Sequence, residues 1–67
     1  MFTYSIDGKE FFEKTFPTKF KAIVQAILDH DLAVDDAVYV KELDQEMQKF
    51  LITPKQITLT YKKKAKQ

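Results

Sequence analysis

The chain has 67 residues, 45% of them hydrophobic and 31% charged, with a formal net charge of +1. That length sets one domain as the ceiling, with a thin core that hides only about 60% of the surface an unfolded chain exposes. Six Phe and three Tyr supply much of the area a small core needs, and they exclude a disordered composition.

Cysteine is absent, which excludes a disulfide framework and a thiolate metal site. All eleven basic residues are lysine. Without the flat, bidentate fork of arginine, sequence-specific DNA reading is disfavoured, although loose contact with phosphates is not. The N-terminal residues lack the basic start and apolar run of a secretory signal, and no stretch approaches the ~20 apolar residues of a membrane span. The expectation is a cytoplasmic protein that does not engage a membrane. Charge is unevenly spread: residues 1–28 sum to +1, residues 29–46 to −6 and residues 47–67 to +6.

Phe2-Thr3-Tyr4-Ser5-Ile6 alternates apolar and polar side chains, the pattern of a half-buried strand. Asp7-Gly8 follows with the only glycine of the chain, a signal for a two-residue hairpin whose return strand covers Lys9 to about Lys14. Pro17 ends that ladder. Phe20, Ile23, Val24, Ile27 and Leu28 then form one apolar stripe, predicting a helix from about Thr18 to Asp31 across one face of a sheet.

Residues 37–61 allow two readings. Val40, Leu43, Met47, Phe50 and Leu51 have helical spacing. The same region also divides into three β-rich runs, 38–40, 50–52 and 57–61. A turn at Thr53-Pro54-Lys55-Gln56 pairs Ile52 with Ile57 and Phe50 with Leu59. A three-residue loop at Asp44-Gln45-Glu46 pairs Val40 with Phe50 and Val38 with Ile52. Both hairpins then agree on which side chains face inward, and this favours strands. The predicted fold is a single α+β domain over residues 1–61, ordered β-β-α-β-β-β: an antiparallel sheet of four or five strands with one amphipathic helix on one face. The alternative order is β-β-α-α-β. Residues 62–67 are expected as a basic, partly ordered C-terminal tail.

Few residues are suited to chemistry. The chain holds one Ser, Ser5, and one His, His30, on a strand and at a helix end, so a nucleophilic triad is not expected. His30 suits the C-terminal end of a helix dipole. Read as a calcium loop from Asp29, the acidic segment has Val34 where the sharp turn needs glycine and Val40 where a bidentate Glu is required. No metal site follows. A single glycine cannot build a phosphate-cradling loop, so no cofactor is expected and the protein reads as a non-enzyme.

Phe11 and Phe12 are adjacent on one extended segment, so their side chains take opposite faces of the sheet. If the helix covers Phe2, Tyr4 and Ile6, one of the pair lies on the uncovered face, where the strand reading also places Tyr39 and Leu51 among Lys41 and Lys49. An aromatic cluster on an open sheet marks an association surface. The expected role is therefore a small interaction or regulatory module. It would bind a protein partner, or itself as a homodimer, through Phe11 or Phe12, Tyr39, Lys41, Lys49 and Leu51 or through an edge strand. The alternative is nucleic-acid binding by Tyr61, Lys62, Lys63, Lys64 and Lys66 together with the exposed aromatics.

Overall fold

A computed structural model of the chain describes the backbone of residues 1–65 and the side chains of residues 1–62. The elements in order are β1 (Phe2–Ser5), α1 (Lys19–His30), β2 (Ala37–Glu42), β3 (Gln48–Leu51) and α2 (Pro54–Ala65). The three strands form one antiparallel sheet in the order β1-β2-β3. This is a small compact α+β domain, with α1 across one sheet face and α2 packed against α1.

The predicted helix is present. The Thr18 side chain caps it by accepting from the Lys21 N–H at 3.1 Å, satisfying one of the free donors of the first turn. At the other end Asp31 takes the left-handed conformation, φ 52°, and the N–H groups of Asp31 and Leu32 both reach the Ile27 carbonyl. These bonds close the last turn. The buried face of α1 is Ala22, Ile23, Ala26 and Ile27, which turns the expected stripe about the helix axis. Ile23 and Ile27 point inward as expected, whereas Phe20 is 42% exposed. The two alanines let the helix lie close to β1 and β2, and a ring at either position would hold it away.

The sheet differs from expectation in three places, each with a local cause. No return strand follows Asp7-Gly8. The Asp7 carboxylate accepts the N–H groups of Lys9 and Glu10 at 2.8 and 3.0 Å, and the Gly8 N–H goes to the Ser5 hydroxyl at 2.9 Å. Side-chain acceptors of this kind bend the chain away from a ladder. The segment returns to the free side of β1 only at Phe12, whose N–H donates to the Tyr4 carbonyl at 2.8 Å, and at Phe16, which exchanges two 2.7 Å bonds with Phe2.

The β2–β3 hairpin is present, but its register pairs Val38 with Phe50 and Val40 with Gln48. That is two residues from the expected pairing, so every side chain keeps its face. The loop covers residues 43–47, closed by N–H bonds from Asp44 and Gln45 to the Glu42 carbonyl.

The third difference concerns residues 57–61, which are helical rather than a strand. Thr53 and Gln56 form a reciprocal cap: the Gln56 N–H donates to Thr53 Oγ1 at 3.2 Å, and the Thr53 N–H donates to Gln56 Oε1 at 2.8 Å. Pro54 occupies the first helical position, where its missing N–H costs nothing. Helical spacing then brings Ile57 against the core and buries Thr60. The Thr60 hydroxyl donates to the Gln56 carbonyl one turn back, at 2.7 Å. Within the expected tail, Lys62 to Ala65 continue α2; residues 66–67 lie outside the described residues.

The core joins α1 to Tyr4, Val38, Val40, Leu32 and Ile52. Beside it the rings of Tyr4, Phe12 and Phe16 stack, with Tyr4 5.0 Å from Phe12 and Phe12 6.2 Å from Phe16. Ile52 is buried at the start of the turn into α2, and its N–H donates to the Asp36 carbonyl at 2.9 Å.

Candidate protein-binding face

Strand register divides the expected site residues between the two faces. Tyr4 pairs with Val40, and both are buried beneath α1. Thr3 and Ser5 of β1, Tyr39 and Lys41 of β2, and Lys49 and Leu51 of β3 therefore share the opposite face. Tyr39 and Lys49 are direct cross-strand neighbours there, and Leu51 pairs with Ala37.

This face is half covered. Thr3 and Ser5 are 4% and 1% exposed because the loop after β1 folds over them. Thr3 Oγ1 donates to the Phe12 carbonyl at 2.7 Å, and Ser5 Oγ donates to Asp7 at 2.9 Å. Gly8, at φ +77°, lies so close above Tyr39 that a Cβ there would sit 3.5 Å from the ring. Phe11 reaches the ammonium of Lys41, 4.7 Å from its ring centroid. Such a pair is attracted by the ring's negative face.

Of the adjacent phenylalanines, Phe11 is the one on the open side. Phe12 packs against the core with Tyr4 and Phe16. The alternation survives although residues 9–14 form no strand, because Phe12 is still held to Tyr4 by a backbone bond.

Beyond the loop the face is uncovered. Leu51 is 53% exposed and Lys49 is exposed. A cleft of about 500 Å³ lies between the loop and the β2–β3 hairpin, lined by Gly8 and Phe11 of the loop and by Lys41, Gln45, Glu46 and Met47 of the hairpin. Met47, itself 45% exposed, was not anticipated at this surface. Its parity with Lys49 and Leu51 in the sequence was the available signal.

The residues of the alternative site lie elsewhere. The strand reading of residues 57–61 puts Tyr61 at the end of the sheet. It stands on α2, which packs against α1 behind the sheet, and its hydroxyl donates to Asp31 at 3.4 Å. Lys62 is exposed on the same helix; the side chains of Lys63, Lys64 and Lys66 lie outside the described residues.

A second hollow, about 360 Å³, includes Tyr4, Ser5, Asp7, Phe12 and His30 in its lining. It brings Ser5 and His30 to one place. The Ser5 hydroxyl, however, donates to Asp7 and accepts from Gly8, and His30 meets the edge of the Tyr4 ring at 5.8 Å between centroids. Three donors hold the Asp7 carboxylate down to a pKa of about 2: chiefly the Lys9 N–H, then that of Glu10, then the Ser5 hydroxyl. Its role here is to shape the loop.

No group of three or more His, Cys, Asp or Glu able to hold a metal occurs among the described residues. None of their helices is long and apolar enough to cross a membrane. Set against known protein families, characterised proteins and solved structures, the chain matches none.

Proposed function

We propose that the protein is a non-enzymatic interaction module that binds a protein partner through the sheet face opposite α1. The observation that carries this reading is the incomplete cover of that face. The loop over residues 7–11 shields β1 and part of β2 but leaves Leu51 and Lys49 open beside Tyr39. A chain with so small a core gains stability from each apolar group it buries, so an uncovered leucine next to a half-buried tyrosine suits an external partner. Phe11, Tyr39, Met47 and Leu51 supply apolar contact in this reading, with Lys41 and Lys49 as the polar surround.

Separation of Tyr61 from this face favours a protein over a nucleic acid, because the ring that would stack a base sits beside the carboxylate of Asp31. The test is affinity capture from the native host, with nuclease-treated and untreated lysates compared. The reading expects a partner recovered from both, with recovery lost in Phe11→Ser and Tyr39→Ser. Recovery that depends on nucleic acid, or is indifferent to both substitutions, overturns it.

A further inference from the structure

The outer side of β1 is occupied by its bonds to Phe12 and Phe16. Among the described residues β3 pairs only with β2. Its backbone directions follow from the bond between the Ile52 N–H and the Asp36 carbonyl. In an antiparallel ladder the bonded pairs alternate, so Phe50 and Gln48 turn their peptide groups toward β2 while Lys49 and Leu51 turn theirs outward. Those outward N–H and C=O groups are a template for another strand.

Two lysines flank the middle of this edge, while Glu42 and Glu46 line the same hollow as Lys19 and Gln48 toward the β2–β3 loop. Lys49 stands on the open face next to Leu51, and across the sheet the ammonium of Lys19 lies 5.5 Å from the ring centroid of Phe50. The two lysines flank the edge from opposite faces. Among the described residues no carboxylate lies within 4.0 Å of either ammonium.

We infer that β3 receives an extended, acidic segment of a partner protein as a fourth strand. This inference rests on the proposed partner-binding role and names the partner's chemistry. The added strand satisfies the outward groups of Lys49 and Leu51. Its successive side chains fall on alternate faces, reaching Lys49 on one and Lys19 on the other. A second copy of this chain fits less well. Antiparallel pairing centred on Lys49 sets two ammonium groups opposite each other. Pairing centred on Phe50 brings together two rings that each already carry a Lys19.

The test uses isotope-labelled full-length protein and a blocked octapeptide of two Glu-Glu-Val-Val repeats, which carries Glu on both faces of a strand, with a Lys-Lys-Val-Val octapeptide as the Lys/Val control. Binding of the Glu/Val peptide slows amide exchange at Lys49 and Leu51 by at least about tenfold and weakens as salt is raised. The Lys/Val peptide leaves both amides unchanged. Leu51→Pro removes an outward donor without breaking a bond to β2 and abolishes the effect, whereas Leu51→Ala retains it. Three results overturn the inference: protection that misses both amides, equal binding of the two peptides, or a free protein that sediments as a dimer with these amides already protected. Phe11→Ser and Tyr39→Ser leave the edge intact and keep octapeptide binding. If they lose the captured partner while the wild-type protein ignores the Glu/Val peptide, the edge inference falls and the open-face reading stands.

Discussion

The hydroxyl of Tyr4 donates to the carboxylate of Asp29 at 2.8 Å, tying β1 to the last turn of α1. Asp29 also accepts from the Gln25 amide at 2.8 Å, so the carboxylate is oriented from its own helix before it meets the tyrosine. Burial of the ring, then the hydrogen bond and the negative charge of Asp29, push the Tyr4 hydroxyl well above the ordinary phenol range. In the unfolded chain Tyr4 ionises near pH 10, whereas in the folded chain it stays neutral well beyond that.

Stability therefore falls as pH rises above about 10, because the unfolded state releases a proton that the folded state retains. Tyr4→Phe removes that part of the alkaline slope and costs about 1 kcal/mol at neutral pH through the lost bond. Urea unfolding of both proteins at neutral and alkaline pH checks both effects. An unchanged slope in Tyr4→Phe would show that other groups cause the alkaline loss.

At Asp7 the direction is opposite. Its carboxyl is held at about 2, below its ordinary value of 3.8. Its contribution is complete above the ordinary value and disappears as pH falls through about 2. Carboxyl titration followed by NMR should place Asp7 at the acid end of the chain's carboxylates. Asp7→Asn should reduce the loss of stability within that acid window.

Gly8 has the positive φ of 77° that an L side chain adopts only with strain. Gly8→Ala should cost about 1 kcal/mol. The Cβ itself meets Tyr39 at an ordinary contact distance, so the cost comes from the backbone. Chemical denaturation measures it, and a neutral substitution would mean the loop accepts another conformation.

Thr53→Ala deletes one acceptor of the α2 cap and should cost about 1 kcal/mol, with helicity lost first in α2. Amide exchange at Gln56 and the residues after it provides the readout. Thr53→Ser, which keeps the oxygen, should retain most of the protection.

Adjacent rings should respond differently to truncation. Phe12→Ala removes a stack 5.0 Å from Tyr4 and should lose about 2 kcal/mol, less than the full value for a completely buried ring. Phe11→Ala gives up mainly its contact with Lys41, about 0.5–1 kcal/mol at a partly exposed site. If both substitutions cost several kcal/mol and neither alters partner capture, both rings serve the core and the open face loses its strongest contact.

Much of this arrangement is written locally. The apolar spacing around Ile23 and Ile27 announces α1, and the alternation of Val38 and Val40 announces a strand with one buried side. Parity also survives: the β2–β3 register shifts by two residues, and every side chain keeps its face. Phe11 and Phe12 are separated by the same alternation even though the strand expected there is replaced by a loop.

Other outcomes required the whole chain. Ile57-Thr58-Leu59-Thr60-Tyr61 has the composition of a strand, yet the Thr53–Gln56 cap and the burial of Ile52 turn it into a helix. The cap was legible as a T-x-x-Q pattern, but the same four residues also suit a turn, and only packing against α1 separates the two. Likewise Phe20 and Ala22 lie two residues apart on opposite sides of α1, and apolar spacing alone favours burying the larger. In the fold Ala22 is fully buried and Phe20 is 42% exposed, so the close approach of α1 to the sheet, and not side-chain size, sets the inward face. Along the strands, alternation alone separates the side chains of the two faces, because the period of an extended backbone is a local property. The tertiary structure alone decided which faces are covered, because cover depends on distant segments competing for the same few ångströms of core.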